Sequence, residues 1–232
     1  MSQERERYEA IREKWPELFV NQPGAPYEIL FEPSLVSAAE AEDQARLVAK
    51  GKPGSWAKSG VVYEDPYTIL VRDAVHRPDG SLSTYGRILP ASGAGGAAVL
   101  PLLDSDIVLL RNFRHATRAY HLEIPRGFGE PGVSAIDQAR EELREEIQAE
   151  ADSLIGLGGF HSNTGAASTC VELFLAKIHN LGRPQTSEGI VGIEVESPRR
   201  VADIIRDGGI TDSFTIGAFT RAWLRGLLPG ML

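Results

Sequence analysis

The 232-residue sequence predicts an α+β protein, an α/β/α sandwich around a mixed β-sheet preceded by a helical N-terminal extension. Three observations predict it. Apolar residues recur at helical spacing near the N-terminus, strand-like runs dominate from Gly60 onward, and amphipathic segments interrupt those strands at irregular intervals without an internal repeat. With 42% hydrophobic and 24% charged residues, the chain has the composition of a soluble globular protein able to bury a sizeable core.

In the first 57 residues, Tyr8, Ile11, Trp15 and Leu18 follow a helical period, and Ser37 with Glu40 has the spacing of a capping box for a second helix that Gly51 closes. Residues 1–57 are thus predicted to be a helical extension and residues 58–232 the main domain. GVVYEDPYTILVRDAV and YGRIL flank the turn sequence RPDG, which predicts a hairpin or meander. SGAGGAA leads into an apolar strand instead of a helix and is read as a loop without a phosphate-cradling role. AAVLPLL and IVLLRNF bracket DSD as another hairpin, HLEIP is a short strand, and LIGLGGF, TCVELFLAKI and GIVGIEVES supply three more. Cys170 falls in that series as a buried strand residue. Ser197 and Pro198 open a helix that Gly208 ends, and TDSFTIGAFTRAWLRGLL continues as an amphipathic C-terminal helix.

Charge and cysteine content narrow the function. A net charge of -8 without a dense Lys/Arg stripe argues against nucleic acid and anionic lipid as partners, while small phosphorylated ligands stay open because a metal ion can reverse the local sign. One cysteine permits no intramolecular disulfide. No apolar run reaches the ~18 residues of a membrane span, and MSQERERYEAIREK lacks the apolar centre of a secretory signal, so a cytoplasmic location is expected. The five histidines form no HExxH pair and no GxSxG elbow is present, which disfavours covalent catalysis.

The most informative stretch is AREELREEIQAE, Ala139 to Glu150. Ser134 and Asp137 cap a helix predicted from about Ala135 to about Ala149. On it Ile136, Ala139, Leu143 and Ile147 make an apolar stripe, and Glu142, Glu145 and Glu146 share a separate face. Like charges one turn apart repel, so something compensates them: water with Arg140 and Arg144, or hard divalent cations held by carboxylates. The helix alone is consistent with both. The preceding loop, EIPRGFGEPG, has the flexibility to bring backbone groups close to a bound ion or pyrophosphate.

Together, loop and helix resemble the signature of the Nudix hydrolases, with Gly127, Glu142, Leu143, Glu145, Glu146 and Ala149 in matching positions. Val133, Glu141 and Gln148 depart from the pattern, standing where the family has Glu, Arg and Gly. VVYEDPYTILVRDAVHRPDG, VLLRNFR, LEIPRG, LIGLGGFHSNTG, ELFLA and GGITDSFT are similar to successive blocks of the ADP-ribose pyrophosphatase-like branch. Thr164 stands where that branch often has a proline.

The resemblance implies an enzyme, a Mg²⁺-dependent pyrophosphohydrolase (Mn²⁺ being an alternative ion). Its expected substrate is a nucleoside diphosphate derivative, ADP-ribose or another nucleotide sugar, cleaved to a nucleoside monophosphate and a sugar phosphate. It further implies Glu142, Glu145 and Glu146 as metal ligands with catalytic roles, the backbone carbonyl of Arg126 as a further ligand, and Glu188 as general base. Arg114, Glu123 and Arg126 are the implied contacts to substrate. A homodimer built through the strands of residues 58–90 is also implied. The rival expectation is a catalytically weakened domain that binds a nucleotide as a sensor or interaction module, motivated by Val133, Glu141 and Gln148.

Overall fold

The structure is a computed structural model and describes residues 2–231. It divides into two compact units, residues 1–93 with 163–168 and residues 94–162 with 169–232.

The first unit begins with α1 (Gln3–Lys14), capped by the Ser2 hydroxyl, with Glu4 and Glu6 in its first turn and Arg12 and Lys14 in its last, as the helix dipole favours. A short 3₁₀ turn, Pro16–Phe19, follows, so the helical period of the sequence breaks at Trp15. After β1 (Glu28–Ile29), α2 (Pro33–Ala49) starts four residues before Ser37, and the expected Ser37/Glu40 capping box is corrected. Pro33 presets the helical φ at the first position, and the Glu32 carboxylate accepts from the Leu35 N–H at 3.0 Å. Ser37 instead donates to the Pro33 carbonyl, and Glu40 accepts from the Ser59 amide and hydroxyl. Gly51 lies just past the helix at φ +67°, the left-handed position foreseen for it.

Strands β2 (Gly60–Glu64), β3 (Thr68–His76) and β4 (Leu82–Pro90) form the expected antiparallel meander, in register from Thr68 opposite Pro90 to His76 opposite Leu82. Gly80 takes φ +81° in the tight turn between β3 and β4. Ile69, Val71 and Leu89 pack with Tyr8, Ile11 and Phe19. Through this apolar layer runs one polar chain: Tyr8 donates to Asp73 at 2.5 Å and Arg87 Nε donates to the same carboxylate at 2.6 Å. Burial, followed by the Asp73 charge, pushes the Tyr8 phenol well above its usual range.

The second unit holds β5 (Gly96–Leu103), β6 (Asp106–Arg114), β7 (Ala119–Glu123), β8 (Arg126–Phe128), α3 (Ala135–Ile147), β9 (Ala151–Phe160), β10 (Val171–Ile178), β11 (Ile190–Glu196), α4 (Pro198–Arg206) and α5 (Ser213–Leu224). The sheet runs β11-β6-β5-β10-β9, with β7 on β6 and β8 on β5. Only the β5–β10 pair among these is parallel, which makes the sheet mixed, as predicted. Alternate residues of its central strands face opposite layers. Ala97, Val99, Val108 and Leu110 pack on Ala139, Leu143 and Ile147 of α3. Ala98, Leu100, Ile107 and Leu109 pack on Val201 of α4 and on Ala218, Phe219 and Ala222 of α5. Both sheet faces are covered, giving the α/β/α order and explaining why AAVLPLL and IVLLRNF read as continuous apolar runs instead of alternating ones.

Two local expectations change. The glycine-rich approach to α3 is not all loop, because Arg126–Phe128 forms β8 in register with Ala98 to Gly96. Cys170 sits just before β10 and is only partly buried.

Candidate active site

Five elements of the second unit carry the residues singled out in the sequence: the end of β6, β7, β8, α3 and the 3₁₀ turn Thr186–Glu188. Ser134 caps α3, its hydroxyl accepting from the Asp137 N–H at 3.2 Å. The helix ends two residues earlier than predicted because Gln148 adopts the left-handed conformation at φ 51°, the place where the family pattern has glycine. Its side chain accepts from the Arg183 N–H at 3.3 Å.

Packing of Leu143 and Ile147 on the sheet rotates Glu142 and Glu146 inward, and both are buried, at 6% and 2% exposure. Glu142 Oε1 accepts from the Gln138 side-chain amide, one helical turn earlier, at 2.6 Å. Glu146 Oε2 accepts from the backbone N–H of Arg126 at 3.2 Å. Burial pushes the Glu142 carboxyl up to about 7, against the Gln138 bond and aided by the charges of Glu145, Glu188 and Glu141. Burial, then the charge of Glu142, pushes Glu146 up to about 8, with Glu188 adding to it and the Arg126 N–H and Arg114 opposing. Two acids are thus held together out of water at a cost that a cation would remove.

Glu145 is exposed, so the three glutamates do not converge as one buried cluster. Among the described residues no group of three His, Cys, Asp or Glu side chains is arranged as a cation cage. The physical reason is geometric: on an α-helix only Glu142 and Glu146, four apart, share the inward line with Leu143 and Ile147, whereas Glu145 lies on the outer flank. The donor set nonetheless suits a hard divalent ion, since Mg²⁺ takes one or two carboxylates and completes its octahedron with water and phosphate oxygens. Glu142 and Glu146 are the residues able to hold it. Of the alternative compensators, Arg144 does pair with Glu141 of the same helix and with Glu150, while Arg140 bonds the Ala151 carbonyl; neither pairs with Glu142 or Glu146.

Glu123 is 2% exposed, and its Oε2 takes Arg114 Nε at 2.7 Å and Nη2 at 2.6 Å. Burial opposes the Arg114 charge, but the Glu123 carboxylate outweighs it and, with Glu146 and Asp212, holds the guanidinium above its ordinary value. Arg126 reaches Glu123 at 3.4 Å and Asp212 at 3.2 Å, and its guanidinium lies 4.9 Å from the Phe214 ring centre. Arg114, Glu123, Arg126 and Asp212 line a cavity of about 380 Å³ with Thr117, His121 and Thr211. Glu142, Glu146 and Glu188 do not line it, so the buried acids and the arginine-lined cavity are neighbouring features of the unit, joined through Arg126, whose amide bonds Glu146 and whose side chain bonds Glu123. Glu188 is exposed, yet its charge acts on both buried glutamates.

Sequence reading missed Gln138 and Asp212. The i,i+4 spacing of Gln138 to Glu142 was the available signal for the first. For Asp212 it was the helix-capping pattern in TDSFT, because Asp212 Oδ2 caps α5 by accepting from the Thr215 N–H at 2.8 Å while Oδ1 meets Arg126.

No family model matches the sequence. The chain is 23% identical over 154 residues to the ADP compounds hydrolase NudE of Escherichia coli (strain K12), covering 64% of this chain and 81% of that protein. A crystal structure of an ADP compounds hydrolase shares the fold with a TM-score of 0.64 and 19% identity, covering 75% of this chain and 95% of that one. With the mixed sheet between α3 and α4/α5, the chain is thus similar in sequence to NudE and in fold to an ADP compounds hydrolase, in line with the resemblance its loop and helix carry.

Proposed function

We propose that this chain is a divalent-metal-dependent pyrophosphohydrolase acting on a nucleoside diphosphate derivative, with ADP-ribose as the favoured substrate and AMP and ribose phosphate as products. The similarity to ADP compounds hydrolases supports hydrolysis of an ADP compound. The observation that carries the reading to these residues is the burial of Glu142 and Glu146 together, both with raised carboxyl pKa values and neither paired with a cationic side chain among the described residues.

When bound, Mg²⁺ would neutralise phosphoryl oxygens and acidify a coordinated water. Glu142 and Glu146 would hold it, with Glu145 and the Arg126 carbonyl as outer contributors. Glu123 fixes Arg114 and Arg126 as a pair of guanidinium forks beside that site, a geometry suited to a diphosphate. Glu188 is proposed as the general base, supported by the reach of its charge to both buried acids. We further propose a cytoplasmic homodimer formed through residues 58–90. Val62 and Tyr63 of β2 are exposed apolar side chains in that stretch, and no helix among the described residues is long and apolar enough to cross a membrane.

The test is a panel of nucleoside diphosphate derivatives incubated with Mg²⁺ or Mn²⁺ and analysed for products. Release of a nucleoside monophosphate supports hydrolysis. Ligand-induced thermal stabilisation without release supports the sensor alternative, and neither response leaves α3 as a merely structural helix.

A further inference from the structure

Asn112, near the end of β6, is 1% exposed, and neither its Nδ2 nor its Oδ1 has a hydrogen-bond partner among the described residues. Buried side-chain amides are almost always paired, so this one calls for a partner. Its place in the fold says where such a partner would stand. Leu110, two residues earlier, packs in the same cluster as Leu143 and Ile147 of α3, and Arg114, two residues later, pairs with Glu123. Residues two apart on a strand share a face, so Asn112 lies between the apolar seat of α3 and the Arg114–Glu123 pair.

What covers the amide is the turn that carries Glu188. Gly189 follows Glu188 at φ +86°, and a Cβ there would lie 3.1 Å from Asn112 Oδ1 and 2.9 Å from the Phe113 carbonyl oxygen. The Gly189 carbonyl accepts from the Phe113 N–H at 2.9 Å, and the Gln185 N–H donates to the Glu146 carbonyl at 3.0 Å. The turn is therefore tied to β6 at one end and to α3 at the other, with Glu188 between the ties and an unpaired amide beneath.

Resting on the hydrolase reading above, we propose that Asn112 is a positioning residue for the Glu188 turn. Its amide bonds an ordered water held under the turn when substrate binds, and the bond fixes the turn and Glu188 relative to the buried glutamates. A donor and an acceptor side by side suit such a water, and a residue without a Cβ at position 189 is what allows the turn to lie this close.

The experiment compares wild type with Asn112→Leu, an apolar side chain of similar size, measuring Mg²⁺-dependent AMP release from ADP-ribose together with thermal unfolding. Asn112→Leu is expected to lower kcat on the order of 10- to 100-fold, to change KM less than about threefold, and to leave Tm unchanged or raised, since it removes an unpaired polar group. Gly189→Ala, which pushes the turn away, is expected to lower kcat likewise. Unchanged kcat in Asn112→Leu, or a kcat loss accompanied by a fall in Tm, would overturn the positioning role while leaving the hydrolase reading intact. If wild type releases no AMP, the hydrolase reading itself fails and this inference falls with it.

Discussion

Gly127 and Glu142 occupy each other's space: a Cβ built on Gly127 would stand 2.1 Å from Glu142 Oε1. β8 can therefore lie against α3 only because residue 127 has no side chain, and the carboxylate fills the place one would take. Gly127→Ala is expected to displace Glu142 from its bond with Gln138 and to lower kcat at least tenfold. Its Tm should fall by several degrees, in line with overpacking costs of about 1–3 kcal/mol. Steady-state kinetics and calorimetry check both.

Glu146→Gln keeps the shape of the side chain while removing one charge from a buried like-charged pair. Turnover is expected to fall by about 100-fold or more, because a candidate ligand and its charge are lost. Thermal stability without metal should stay level or rise, since the repulsion from Glu142 is relieved. A variant that unfolds, or one that keeps full activity, contradicts the assignment.

The pH dependence follows from the raised carboxyls. Glu142 and Glu146 bind protons in the folded state up to about 7 and about 8, while the unfolded chain releases them near 4.5. The folded state thus holds more protons in this window, and its stability without metal declines as pH rises from about 4.5 to about 8, with a slope of at most about 1.4 kcal/mol per pH unit for each group. Mg²⁺ must displace the same protons, so its stabilising effect is expected to grow across that window. Thermal melts at several pH values, with and without Mg²⁺, read both trends. A Mg²⁺ effect that shrinks with rising pH counts against Glu142 and Glu146 as ligands.

In the first unit, Asp73 is 2% exposed and takes bonds from Tyr8 and Arg87. Asp73→Ala leaves the half-buried Arg87 charge without its carboxylate, although Arg87 keeps its bond to the Leu18 carbonyl, and is expected to destabilise the unit by about 2–3 kcal/mol, read by denaturant unfolding. Arg114 and Glu123 pose the same problem in the second unit, where Glu123→Gln is expected to weaken substrate binding because it loosens the Arg114 fork.

Much of this was legible in the sequence. The strands from Gly60 onward, the Ser134 and Ser197 caps and the Ala139, Leu143 and Ile147 part of the α3 stripe follow from periodicity and capping chemistry, which act over a few residues. Ile136, expected in that stripe, is instead exposed, on a side of the first turn of α3 that does not meet the sheet. The Ser37/Glu40 signature misled because Glu32 and Pro33 had already started the helix, and a local pattern cannot reveal which of two caps wins. The inward turn of Glu142 and Glu146, as against Glu145, was hidden because it depends on which side of α3 meets the sheet. Likewise, Glu123 looks like an ordinary surface acid until β6 delivers Arg114 to it from nine residues away. The unpaired amide of Asn112 leaves no trace in local sequence, since burial and partners are set by the Gly189 turn, far along the chain.

The measurement that bears most directly on the hydrolase reading is product analysis of ADP-ribose incubated with wild type and with Glu146→Gln across a Mg²⁺ titration. Wild type should release AMP in proportion to bound Mg²⁺ and Glu146→Gln almost none. AMP release that is indifferent to Mg²⁺, or equal in the two proteins, would contradict a metal site built on the buried glutamates of α3.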